Sequence, residues 1–296
     1  MSETNSCREG LELETKLILV EGIPGAGKTS IAEYISSYLN RKNIANELFK
    51  EGNLNHPADY ESTACLNKDE FREIQSQLRI DKRLFSNYTT NKEDYYLIEY
   101  AKLYHDNKIN ISDQILNQLA ESDVYNLTPA KHSHLIKDKW LNFAKKAVTQ
   151  EQVYIFECCF LQNPLTTMMA YHNTSKDYII KHVKDLEQII SELNPLLILL
   201  EPKNIEEQFA RVIKERPKEW LDFIIDYVTN QSYGQENNLN GYSGLIEFYQ
   251  NLAELELNIF SKLKMRKILI KDPHSNWEQN YQKINSFLKK AAEVNK

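Results

Sequence analysis

Residues 22–29 read Gly-Ile-Pro-Gly-Ala-Gly-Lys-Thr, and this octet constrains the fold more than any other stretch of the chain. Glycine is scarce, eight in all, yet Gly22, Gly25 and Gly27 fall inside it. The apolar run Lys16–Val20 ahead of it has strand length, and Ile31, Ile35 and Tyr38/Leu39 behind it recur at helical spacing. Glycines in such a strand–turn–helix let the backbone curl until its amide N–H groups point at one anion. The helix N-terminus adds its partial positive charge to the same spot. The spacing G-x-x-x-x-G-K-[ST] is filled at every position, so Lys28 is expected to meet nucleotide phosphates and Thr29 to offer its hydroxyl to Mg²⁺. Gly22, Ile23, Pro24, Gly25, Ala26, Gly27, Lys28, Thr29 and Ser30 are the expected nucleotide-binding residues.

Further apolar runs occur at Glu47–Lys50, Gln152–Phe156, Leu196–Leu200 and Arg266–Ile270, with helical patterns between them. Near-continuous apolar runs of this length suit strands covered on both faces. The expected fold is therefore α/β: three layers about a roughly five-stranded parallel sheet with right-handed crossovers. Asn67 with Glu70 predicts a capped helix from Lys68 to about Arg79, and Ser112 a cap for one reaching Glu121. Thr128-Pro129 predicts a helix start with an end near Thr149. Leu245, Phe248, Leu252, Leu255, Ile259 and Leu263 form one long stripe, and a last helix is expected over 275–292. Residues 52–150 are too long for a simple crossover and read as a mostly helical inserted substrate subdomain. Within it, Tyr95, Tyr96, Tyr100 and Tyr104 fit a helix face or a strand equally. The body spans 16–296 behind a polar tail at 1–15, and 204–230 reads as a lid-like helical region.

The formal charge is 36 − 42 = −6, which lacks the broad basic field of a non-specific nucleic-acid binder. Nucleic acid is accordingly not an expected partner. Cys7, Cys65, Cys158 and Cys159 show no CxxC or zinc spacing, and a reduced compartment is the simplest reading. The acidic first fifteen residues lack signal-peptide character, and Leu196–Leu200 is far too short to span a bilayer. The expectation is a cytoplasmic protein with no membrane partner.

Candidate chemistry gathers at the ends of the expected strands. The run Val153–Glu157 ends in a carboxylate, Glu157, placed beside the glycine loop to act on Mg²⁺. Cys158 and Cys159 behind it read as buried packing. Glu51, after the second run, is a candidate to accept a proton from a substrate hydroxyl, with Asp59 as a second candidate and His56 as a contact. Residues 204–216 carry Arg211, Lys214 and Arg216, cations suited to neutralising charge on a transferring phosphoryl group. Arg211 and Lys214 are spaced to share one helix face. His132, His134 and His172 have no spacing that singles them out.

With these residues in place, the chain resembles the nucleoside and nucleotide kinase branch (deoxynucleoside kinase and thymidylate kinase-like) of the P-loop NTPases. The resemblance is carried by Glu21-Gly22 to Thr29, Glu51, Phe156-Glu157 and the Arg211–Arg216 helix. It implies ATP and Mg²⁺ as cofactors and a small-molecule acceptor. It implies Lys28, Glu51, Glu157, Arg211 and Arg216 as catalytic residues, with Thr29 and Glu157 at the metal and Lys271-Asp272-Pro273 near adenine. Cys158-Cys159 stands where deoxynucleoside kinases continue Glu with Arg-Ser, and the Arg211–Arg216 spacing exceeds their usual R-x-x-x-R. The expected function is transfer of the γ-phosphoryl group of Mg-ATP to a hydroxyl or phosphate of a small acceptor. The alternative is an NTP-hydrolysing regulatory protein without such an acceptor. A third reading, action on nucleic-acid ends, sits poorly with the acidic balance.

Overall fold

The computed structural model describes residues 13–78, 82–106 and 111–292. Residues 1–12 with Cys7, and Arg79, lie outside the described residues. Among the described residues, eight strands occur: β1 (Leu17–Glu21), β2 (Asn46–Phe49), β3 (Thr63–Leu66), β4 (Thr89–Asn91), β5 (Tyr96–Glu99), β6 (Val153–Glu157), β7 (Leu196–Glu201) and β8 (Arg266–Lys271). Five form one all-parallel sheet in the order β2-β6-β1-β7-β8. These are the five strands expected from the apolar runs, each within one or two residues.

The period of two explains the layers. Leu17, Leu19, Phe156, Leu197 and Leu199 face one core, while Ile18, Val20, Ile155, Ile198 and Leu200 face the other. Helices cover both faces. On the second face lie α1 (Lys28–Arg41), through Ile31, Ile35 and Leu39, and the C-terminal helix 277–292, through Ile284 and Leu288.

Between β2 and β6 the chain forms α2 (Lys68–Gln77), α3 (Lys82–Ser86), α4 (Tyr100–His105), α5 (Asp113–Glu121) and α6 (Pro129–Ala147). Asn67 and Glu70 form the capping box, and Ser112 Oγ accepts from Ile115 N at 3.4 Å. Residues 52–150 are mostly helical but also hold β3, β5 and β4, which pair as a separate antiparallel sheet. The tyrosines split: Tyr96 is in β5, and Tyr100 and Tyr104 are in α4. Ala64, Ile98, Ile74, Leu103 and Leu119 build a core cluster of their own in this segment. Helix α6 instead returns to the main sheet, where buried Trp140 meets Phe143, Phe156 and Phe160 edge-on.

The remaining helices are α7 (Gln162–Ala170), α8 (Lys176–Ile189), α9 (Ile205–Glu215), α10 (Lys218–Thr229), α11 (Ser232–Glu236), α12 (Gly241–Lys262) and α13 (Trp277–Ala292). The stripe Leu245, Phe248, Leu252, Leu255 and Ile259 is buried along α12, as its spacing predicts. Among the described residues, no helix is long and apolar enough to cross a membrane.

Trp140 joins α6 to the sheet by aromatic edges, so Trp140→Ala should cost about 3–5 kcal/mol of stability. Urea unfolding of the two proteins measures this, and a loss under 1 kcal/mol would mean that α6 is not anchored through this side chain.

Candidate functional site

All five parallel strands point their C-terminal ends to one edge of the sheet, where the loops converge. Between β1 and α1 the chain turns through Gly22–Gly27. Gly25 (φ 78°) and Gly27 (φ 93°) occupy left-handed backbone that L residues rarely adopt. Space is equally restrictive: a β-carbon on Gly25 would lie 2.2 Å from Val212 Cγ2, and one on Gly27 2.5 Å from Trp277 Cη2. Gly27 is also the residue before the first turn of α1, so the amide donors of the helix start face the loop interior.

Lys28 is buried at the loop floor, its ammonium donating to Ile23 O at 3.1 Å and to Gln162 Oε1 at 2.6 Å. Burial works against its charge, but the carboxylates around it, Glu51 and Glu157 among them, outweigh burial and raise its pKa. Thr29 Oγ1 donates to Glu157 Oε1 at 2.7 Å. Glu157 is pushed up by burial and pulled back by Thr29 and Lys28. Gln162 turns its amide nitrogen to Glu51 Oε1 at 3.2 Å, so one side chain bridges Lys28 and Glu51.

The turn after β6 sets this geometry. Cys158 is a non-glycine residue at φ 70°, a conformation that costs roughly 1–2 kcal/mol. The turn presents the amides of Phe160 and Gln162 to Glu21, which accepts them at 2.8 and 3.0 Å. Cys158 and Cys159 are buried, and burial pushes both thiols well above their usual range.

Lys28, Thr29, Glu51, Glu157 and Gln162 line a cleft of about 940 Å³. Lys50, Glu61, Tyr125, Asn163, Glu215, Arg216, Tyr227 and His274 also line it. His274 Nε2 lies 2.8 Å from Gly25 O. The 204–216 segment forms α9 with Asn204 as its cap, but its inner face carries no cation. Gln208 Nε2 donates to Pro24 O at 2.5 Å and Val212 rests on Gly25. Arg211 and Lys214 are exposed, and neither lines the cleft. Arg216, just past the helix end, does line it, with its guanidinium 5.8 Å from the Trp220 ring centre.

Asp59 and His56 were expected to face a substrate, and both are instead buried behind the cleft wall. Asp59 accepts from Tyr125 Oη and, at 3.3 Å, from Asn163 Nδ2, fixing two cleft residues from behind. His56 packs on Phe49 and Phe156, and burial lowers its pKa to about 4. Lys271, Asp272 and Pro273 do not line the cleft, and Asn280 Nδ2 donates to Pro273 O at 2.8 Å. Gln162, Asn163, Tyr125 and His274 carried no sequence signal, since no motif marks them. Glu21 adjoined the glycine motif without a role of its own.

A divalent cation fits the donors present. Ligand atoms of Glu51, Glu157 and Cys158 lie within 4.8 Å of one another, and Glu157 Oε2 is buried without a hydrogen-bond partner. Carboxylate and hydroxyl oxygens from Glu157, Glu51 and Thr29 suit a hard ion such as Mg²⁺, whereas a protonated thiol does not. Compared with known proteins, the chain matches no protein-family model and no curated protein.

Beneath the loop, Glu21 and Glu256 are both fully enclosed. Burial raises Glu21 to about 7, against the amides of Gln162, Phe160 and Leu161. Burial and the neighbouring Glu21 raise Glu256 to about 8, against the pull of Lys28. A carboxyl held above its ordinary 4.5 keeps a proton that the unfolded chain has released, so its contribution to stability declines as pH rises through that window. Glu256→Gln has no proton to lose. It should match the parent near pH 5 and exceed it by about 1–4 kcal/mol near pH 9, as measured by urea unfolding. A stability difference that does not change with pH would contradict this titration.

Proposed function

We propose that this chain is an ATP-dependent phosphotransferase, a P-loop small-molecule kinase that uses Mg²⁺. The observation that carries the reading is the meeting of Thr29 Oγ1 and Glu157 Oε1 at 2.7 Å beside buried Lys28, on the floor of a cleft bordered by the glycine loop. The loop amides and the start of α1 hold the phosphates, because unpaired donors and the helix dipole favour anions there. Thr29 and Glu157 would hold Mg²⁺, which supplies neutralisation of charge on the transferring phosphoryl group. Lys28 exchanges Gln162 Oε1 for phosphate oxygen when nucleotide enters. Glu51, steadied by Gln162, accepts the proton of the acceptor hydroxyl. Arg216 lines the cleft at the end of α9 and contributes positive charge from the lid side. Arg211, exposed and outside the cleft, takes a part only if α9 moves.

Incubation with Mg-ATP and a mixed pool of hydroxylated metabolites and nucleosides, read by mass spectrometry, tests the reading. A product heavier by one phosphoryl group is expected. ATP consumption without such a product would favour the hydrolytic alternative. Lys28→Ala should lose at least a hundredfold in turnover with its circular dichroism unchanged, on the scale of a lost transition-state donor. Glu157→Gln should lower turnover and weaken its Mg²⁺ dependence. Unaltered turnover in Lys28→Ala would remove the role given to the loop.

A further inference from the structure

Cys158 meets the carboxylates of the cleft from behind. Its thiol donates to Glu51 Oε2 at 3.5 Å, and the residue is buried and does not line the cleft. Ligand atoms of Glu51, Glu157 and Cys158 lie within 4.8 Å of one another. Each carboxylate is held through one oxygen only. Gln162 Nε2 donates to Glu51 Oε1 at 3.2 Å, and Thr29 Oγ1 donates to Glu157 Oε1 at 2.7 Å. That leaves Glu51 Oε2 to the thiol and Glu157 Oε2 without a hydrogen-bond partner, on a side chain only 3% exposed. A carboxylate oxygen left unpaired at that depth is costly, and a bound cation removes the cost. Metal sites orient their ligands in the same way, with outer donors that fix one atom of each.

The sulfur decides which ion suits the free atoms. Mg²⁺ takes oxygen ligands, whereas zinc-class ions pair a thiolate with carboxylates. A Zn–S bond of about 2.3 Å and a Zn–O bond of about 2.0 Å at the tetrahedral angle put the two ligand atoms about 3.5 Å apart. Cys158 Sγ and Glu51 Oε2 already stand at that separation. On binding, the S–H bond breaks, a sulfur–metal bond forms, and the proton leaves to solvent. The three ligands then carry three negative charges, matched by a divalent ion and the neighbouring Lys28 ammonium. Lys28 does not block the position, because it donates to Ile23 O and Gln162 Oε1. Glu51 is exposed, and it lines the cleft with Glu157, which gives an ion its way in.

We propose that Glu51, Glu157 and Cys158 form a three-ligand site for a thiophilic divalent ion of the zinc class, occupied in the absence of nucleotide. Such an ion engages Glu51 and Glu157 together, so the chain that carries it is inhibited. The inhibition rests on the phosphotransfer reading of the cleft, but the binding does not.

Cadmium is the probe, because a cadmium–thiolate bond absorbs in the ultraviolet and carboxylate ligation does not. The full chain with Cys7→Ser is freed of metal by a chelator and titrated with Cd²⁺, without ATP or acceptor. One equivalent at micromolar concentration should raise the band. Zn²⁺ should displace the cadmium, and millimolar Mg²⁺ should not. Cys158→Ser should abolish the band, while Cys159→Ser and Cys65→Ser keep it. Glu51→Gln and Glu157→Gln should each weaken cadmium binding at least tenfold, with circular dichroism unchanged. No band in the parent, a band that survives Cys158→Ser, or an affinity indifferent to both carboxylates would overturn the proposal. Because no nucleotide is present, each of these outcomes leaves phosphotransfer untouched.

Discussion

Five parallel strands buried on both faces impose one constraint from which the rest follows. Every strand leaves the sheet toward the same edge, so the turns after β1, β2, β6 and β7 must share a small space. That crowding brings Lys28, Glu51 and Glu157 together from three separate strand ends. The cost appears as backbone strain at Cys158 and as two enclosed carboxyls, Glu21 and Glu256, beneath the loop.

Polar contacts at this edge form one connected set. Glu21 fixes the turn after β6 through two backbone amides, and that turn places Gln162. Gln162 then spans Lys28 and Glu51. Asp59 does the equivalent for Tyr125 and Asn163, which also line the cleft. Side chains that would touch a ligand are thus held by residues that would not, which is what preorganisation requires.

Much of this was legible in the sequence wherever the signal is local. The five sheet strands are apolar because both faces are covered, and the Asn67–Glu70 box and the α12 stripe are periodic over neighbouring residues. Glycine spacing alone located the loop with Lys28 and Thr29, and a strand-end carboxylate located Glu157. The antiparallel sheet of β3, β5 and β4 was missed because its strands are three or four residues long and pair across a helical stretch. Asp59 and His56 looked like cleft residues because they follow β2, yet tertiary packing turned them inward. Gln162, Asn163 and His274 have roles only through partners distant in sequence, which no single-chain pattern encodes.

The missing side chain at Gly25 has a mechanical consequence. Val212 occupies the space that a β-carbon would fill, and Gln208 is bonded to Pro24 O one residue earlier. Helix α9 is therefore seated on the loop with no slack between them. A loop that spreads must lever the helix outward, and a helix that tilts must tug the loop. Arg216 follows Val212 by one helical turn, so the contact that seats the helix on the loop also sets where the guanidinium stands in the cleft.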